Sequence, residues 1–174
     1  MNVSALTFIT VQNHYDLFSP IQGHKRSNIK ENMQTTINQS ISLSKNIVAG
    51  VVGGLAGGVV FGVMMGMMGM LPIIAGMMGS NSAGVGFLIH MMISAFIGAT
   101  FGAMLGNRSH SNGQALLWGL VWGAIWWVLG PLVIMPAMMG MPMFSLNMTS
   151  LISLMGHLIY GGVMGLVFAW YIKR

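Results

Sequence analysis

Residues 47–70 read IVAGVVGGLAGGVVFGVMMGMMGM, an uncharged run in which Gly50, Gly54, Gly58, Gly62 and Gly66 recur every fourth residue. At about 1.5 Å per residue a helix of this length is roughly 36 Å long, enough to cross a hydrocarbon core of about 30 Å with some tilt. Glycines four apart lie on one helix face and leave a groove that a second backbone can enter, which is how helices associate in lipid. The stretch therefore reads as a transmembrane helix whose glycine face is a packing seam.

Working outward, Pro72 follows within an apolar tail that ends at Ser80, Asn81 and Ser82, and a second span covers residues 84–106. The polar loop from Asn107 to Asn112 leads into a third span, 115–135, which ends at Pro136. An uncharged turn region, Met141 to Asn147, precedes the fourth, 149–172, which brings Trp170 and Tyr171 to interface depth ahead of Lys173 and Arg174. Residues 1–46 are polar, rich in Asn and Gln, and read as a flexible or interfacial segment. The pattern Ile37, Ile41, Val48 would extend the first helix back along the membrane surface. Val3 to Val11 is too short and too polar for the core of a signal peptide, and Met33 is an alternative start. The organisation expected is thus a polar segment, 1–46, before a four-span bundle, 47–174.

Composition agrees with this reading. The 174 residues are 55% hydrophobic and 5% charged, with a mean hydropathy of +0.75, whereas soluble domains carry about 25% charged residues. The net charge of +5 does not point to nucleic acid, because Lys25, Arg26, Lys30, Lys45, Arg108, Lys173 and Arg174 all fall outside the apolar runs. They occupy the leader, the loop between spans two and three, and the C-terminus, so the positive-inside rule puts both termini in the cytoplasm of a cell inner membrane. With no cysteine, disulfides, thiolate metal sites and a cysteine nucleophile are excluded.

The chain also repeats itself. Pro72-x3-Gly76 recurs as Pro136-x3-Gly140, each just past an odd-numbered span, and His90-x7-Gly98-x2-Phe101 recurs as His157-x7-Gly165-x2-Phe168. The expected fold is an all-α integral membrane four-helix bundle made of two tandem-duplicated helical hairpins, related by an axis along the membrane normal. Gly98, Gly102 and Gly106, Gly119 and Gly123, and Gly161 and Gly165 extend the close packing to the other spans.

His90 and His157 are the sharpest candidates for chemistry, since ionisable groups inside a membrane are costly and face the bundle interior. Two imidazoles at one depth would ligate a b-type haem or a metal, with Ser94, Ser153 and Tyr160 as polar neighbours that orient the rings. The alternatives are a buried hydrogen bond that fixes helix register, or a path for protons or a small solute. Methionine, with 20 residues, crowds the outer half of the first span and the end of the third. Thioethers suit Cu(I), so Met64 and Met68 join the histidines as candidate ligands, while core filling is the bland reading. Trp118, Trp122 and Trp126 form a stripe, with Trp127 beside it, expected to pack against glycine grooves. His14, His24 and His110 lie in polar segments and read as solvated. No Asp, Glu, Lys or Arg lies inside a predicted span, which removes the usual carboxylate of an ion-coupled transporter, and no nucleophile set or phosphate loop is present.

His90 with Ser94, the stretch from Gln114 to Gly123, Pro136 to Pro142 with Met139 and Gly140, and Gly156-His157-Leu158-Ile159-Tyr160 together resemble the YagU-like family of small bacterial inner-membrane proteins. The resemblance covers about half of the chain, implies a multi-span inner-membrane location, and supplies no catalytic residues. The chain departs from the family in its heavier methionine and glycine content and in its N-terminal segment. The function expected is a non-enzymatic membrane protein, a homo-oligomer or an accessory subunit of a membrane complex in the lipid bilayer. A haem b or copper-binding protein and a channel-like oligomer are the alternatives.

Overall fold

The computed structural model describes the backbone of residues 3–109 and 111–174 and the side chains of residues 29–40, 42–109 and 111–174. The expectations for the side chains of His14, His24, Lys25, Arg26, Ile41 and His110 lie outside the described residues. Among the described residues the regular structure is all helical: α1 (Val3–Met67), α2 (Leu71–Gly76), α3 (Ala83–Leu105), α4 (Asn112–Leu129), α5 (Met135–Met139) and α6 (Met148–Ile172). Four segments, Ile29–Met67, Ala83–Arg108, Asn112–Met139 and Met148–Ile172, are long and apolar enough to cross a membrane. The chain therefore has the make-up of a multi-pass membrane protein.

The residues fall into two compact units, Met1–Ser42 and Leu43–Arg174. In the first, the described backbone is helical. Its polar side chains bond within the helix: Thr35 Oγ1 donates to Glu31 O and Thr36 Oγ1 to Asn32 O, both at 2.9 Å, and Gln34 Nε2 to Asn38 Oδ1 at 3.2 Å.

In the second unit the helix starts follow from capping chemistry. Ser111 Oγ accepts from Gln114 N at 3.2 Å while Gln114 Oε1 accepts from Ser111 N at 3.3 Å. Asn147 and Ser150 make the same reciprocal pair ahead of α6, at 3.0 and 2.8 Å, so each helix satisfies two of its otherwise unpaired N–H groups. The third span is not the straight helix expected to residue 135. Pro131 has no N–H to give, and the chain widens into a π-turn over Gly130–Ile134 before α5 resumes with Pro136 in its first turn. Gly140 then ends α5 in the left-handed region, φ 65°. Likewise α1 stops at Met67 rather than residue 70, and the apolar tail beyond it is the short helix α2, with Pro72 in its first turn.

Glycine sets the helix contacts. A Cβ on Gly50 or Gly54 of α1 would run into Gly98 of α3, and one on Gly102 would run into Asn46 O. On a second face of α1, Gly53 and Gly57 lie against the backbone of Met164 and Tyr160 in α6. In α4, Gly119 and Gly123 meet Gly161 and the carbonyl of His157 in the same way. These approaches bring α1 and α3, α1 and α6, and α4 and α6 together antiparallel at backbone contact. The expected ladder on α1 breaks at Gly66, where a Cβ would meet only Leu71 Cδ1 at the ordinary distance of 3.5 Å. Along the line where α3 faces α6, the fully buried rings of Phe101 and Phe168 meet edge to face at 5.3 Å, and Tyr160 Oη donates to Ser94 O at 2.9 Å.

One end of this unit is basic. Lys45 Nζ donates to Ile172 O at 3.2 Å, Lys173 Nζ to Asn112 Oδ1 at 2.7 Å, and the Arg174 guanidinium lies 3.6 Å over the Trp170 ring. The buried Asn46 joins Asn107 there at 2.8 Å. The opposite end, built by α2, α5 and their turns, carries no charged residue.

Candidate functional site

At the uncharged end the antiparallel helices leave a cavity of about 640 Å³. Its wall is Phe61 and Met65 from α1, Ile73, Ile74 and Met77 from α2, His90, Ser94 and Ile97 from α3, Trp126 from α4, Met135, Pro136 and Met139 from α5, and Ser153, His157 and Tyr160 from α6. The two short proline-led helices thus close part of the cavity that the four long ones leave open.

Both histidines line it, and each is held differently. His90, buried, has its Nε2 3.0 Å from Gly58 O. A carbonyl only accepts, so Nε2 carries the proton and Nδ1 of the neutral ring keeps a lone pair. This bond ties α3 to α1, so one of the sequence readings, a histidine fixing the register of a neighbouring helix, describes His90. His157 bonds inside its own helix: Nδ1 lies 2.7 Å from Ser153 O and 3.4 Å from Ser153 Oγ. Its proton is therefore on Nδ1 and its lone pair on Nε2. No described residue donates to that Nε2, and His157 pins no second helix.

The residue that joins the two rings is Phe61, which sequence reasoning passed over. Its centroid is 5.5 Å from that of His90, at 83°, and 4.9 Å from that of His157, at 67°. Gly156 makes room for it, since a Cβ there would enter the Phe61 ring. The available signal was Phe61 as the one aromatic in residues 47–70, together with a glycine beside His157. Of the expected polar neighbours, Ser153 does hold His157. Ser94 instead packs its side chain on Gly58, and the Tyr160 hydroxyl goes to Ser94 O rather than to an imidazole.

The methionines beside the histidines are also not those expected. Met64 packs against the core and Met68 is exposed, and neither lines the cavity; Met65, Met70, Met77, Met135, Met139 and Met141 do. The reason is rotation: the cavity takes the face of α1 that carries Phe61 and Met65, four residues apart, and the glycine face lies against α3. Among the described residues no three His, Cys, Asp or Glu gather as metal ligands.

The tryptophan stripe divides by its N–H groups. Trp122 Nε1 donates to Ile97 O at 3.2 Å and Trp127 Nε1 to Ser150 O at 2.8 Å. Trp126 meets Phe96 edge to face at 6.0 Å, and its Nε1 is the one buried side-chain N or O among the described residues without a hydrogen bond. The chain matches no protein-family model, no curated protein and no solved structure.

Proposed function

We propose that the chain is a non-enzymatic, multi-pass membrane protein that holds a small apolar molecule in the cavity between its helices. The observation that carries this is the cavity itself: its volume of about 640 Å³ lies within the range of about 300–1,000 Å³ typical of small-molecule sites, and its wall is apolar with a few convergent polar groups.

The proposal includes an origin by tandem duplication of a helical hairpin. What supports it is a repeated contact pattern. A Cβ on Gly54 would meet Ser94 O and Gly98 Cα, and one on Gly119 would meet Gly161 O and Gly165 Cα; a Cβ on Gly98 would meet Gly50 O and Gly54 Cα, and one on Gly165 would meet Ala115 O and Gly119 Cα. Phe101 and Phe168 touch each other, as matched residues do beside a twofold axis, and α2 and α5 follow the two odd-numbered spans with a proline in each first turn. Cytoplasmic termini belong to the same proposal, on the strength of the basic end. The YagU-like assignment and assembly with further copies or with a membrane complex remain proposals on the sequence alone.

The test is native mass spectrometry of the protein released from mild detergent. The wild type should carry a small-molecule adduct that Ile134→Trp, which fills the cavity from an exposed wall position, loses while its helical circular dichroism is unchanged. Identical spectra from the two proteins, with or without an adduct, would overturn the reading. A copper site is the second reading, favoured by the thioethers and imidazoles that share the wall; metal analysis of the same preparations decides it.

A further inference from the structure

The cavity has an address for one kind of ligand. Three of its donors are spent: His90 Nε2–H on Gly58 O at 3.0 Å, His157 Nδ1–H on Ser153 O at 2.7 Å, and Tyr160 O–H on Ser94 O at 2.9 Å; the Trp126 N–H has no partner, but its nitrogen is itself buried and does not face the open space. Each imidazole keeps a lone pair. His157 is only partly buried and its Nε2 receives nothing from the described residues, in a mainly apolar wall that includes Phe61, Met65, Met77 and Ile134. An acceptor in such surroundings lowers the free energy of a bound molecule only if that molecule brings a donor.

We infer that the cavity selects a lipophile bearing a hydroxyl, such as a phenol, a quinol or a long-chain alcohol, held by donation of that hydroxyl to His157 Nε2. The inference rests on the cavity reading above. An ammonium donor fits poorly, because residues 43–174 contain no Asp or Glu to neutralise it and an unpaired charge in a low-dielectric cavity is costly. A hydroxyl is neutral, and its apolar body suits the rest of the wall.

The experiment uses the full chain in nanodiscs of one phosphatidylcholine. It measures how para-nonylphenol and its methyl ether, para-nonylanisole, partition between protein-bearing and empty discs. The ether keeps the shape and loses only the donor. The phenol should bind at one molecule per chain and about tenfold more tightly than the ether, the factor expected for one net hydrogen bond. His157→Phe, which keeps an aromatic ring beside Phe61, should bind both compounds alike. If that variant does not assemble, the imidazole nitrogen NMR spectrum of the wild type replaces it: the His157 Nε2 resonance should move with the phenol and stay with the ether. Equal binding of the two compounds to the wild type overturns the hydroxyl address and leaves the cavity reading standing. No binding above empty discs overturns both. A phenol preference that survives His157→Phe, an Nε2 resonance that ignores the phenol, or stoichiometric Cu(I) on His157 with the two compounds bound alike also overturns it.

Discussion

At the scale of single residues, Trp122, Trp126 and Trp127 of α4 form a comparison, because they differ in whether the indole N–H has a partner. Trp122→Phe and Trp127→Phe each remove a bond to a carbonyl of another helix and should cost about 0.6–1.7 kcal/mol, the range for interhelical hydrogen bonds in membranes. Trp126→Phe removes an N–H that already lacks a partner and should change stability by less than about 0.5 kcal/mol, since the unmet donor was itself unfavourable. Reversible unfolding in mixed micelles measures all three; a Trp126→Phe loss as large as the others would mean that its N–H is bonded in the membrane. The same accounting separates the two histidines. Matched in sequence and both on the cavity wall, they differ because His90 spends its proton across a helix boundary and His157 within its own turn.

At the scale of elements, the glycines make predictions of opposite sign. Gly98→Ala would push a methyl group into the backbone of Gly50 and Gly54, where no rotamer can yield, and should cost about 1–3 kcal/mol or more. Gly66→Ala meets only an ordinary contact and should be neutral or stabilise by up to about 1 kcal/mol through helix propensity. Thermal denaturation of the two variants in the same detergent checks the pair. In the sequence Gly66 and Gly98 are alike, each a rung of a four-residue ladder. The four spans themselves were legible because apolar runs of sufficient length stand between polar or charged segments, and that signal survives ignorance of packing. Helix rotation was not legible, because nearly every face of each span is apolar. For that reason the sequence does not distinguish Met64 and Met68 from Met65, nor mark Phe61 as facing the cavity. The break at Gly130-Pro131 was visible as a dipeptide but was hidden in an apolar run that continues to Met135.

At the scale of the whole molecule, the division into a basic and an uncharged end gives a test of orientation. The chain has no cysteine, so a single one reports without background. Gly113→Cys, beside the basic end, should resist a membrane-impermeant maleimide added to intact cells and react after permeabilisation, whereas Ser80→Cys, at the uncharged end, should react at once. Labelling in the reverse order would invert the proposed topology. If the orientation holds, the cavity lies in the outer half of the bilayer, so its ligand would arrive from that leaflet.

The two glycine faces of α1 also bear on how the protein is made. One face is met by α3, the next span to leave the ribosome. The other, at Gly53 and Gly57, waits for α6, made after α3 and α4. Until then the first span stands in lipid with a groove that no side chain fills, and a chain halted before Met148 keeps that groove open. The fold of this unit therefore waits on the synthesis of α6, and the cavity, walled by α6 along one side, does not exist in a chain halted before it.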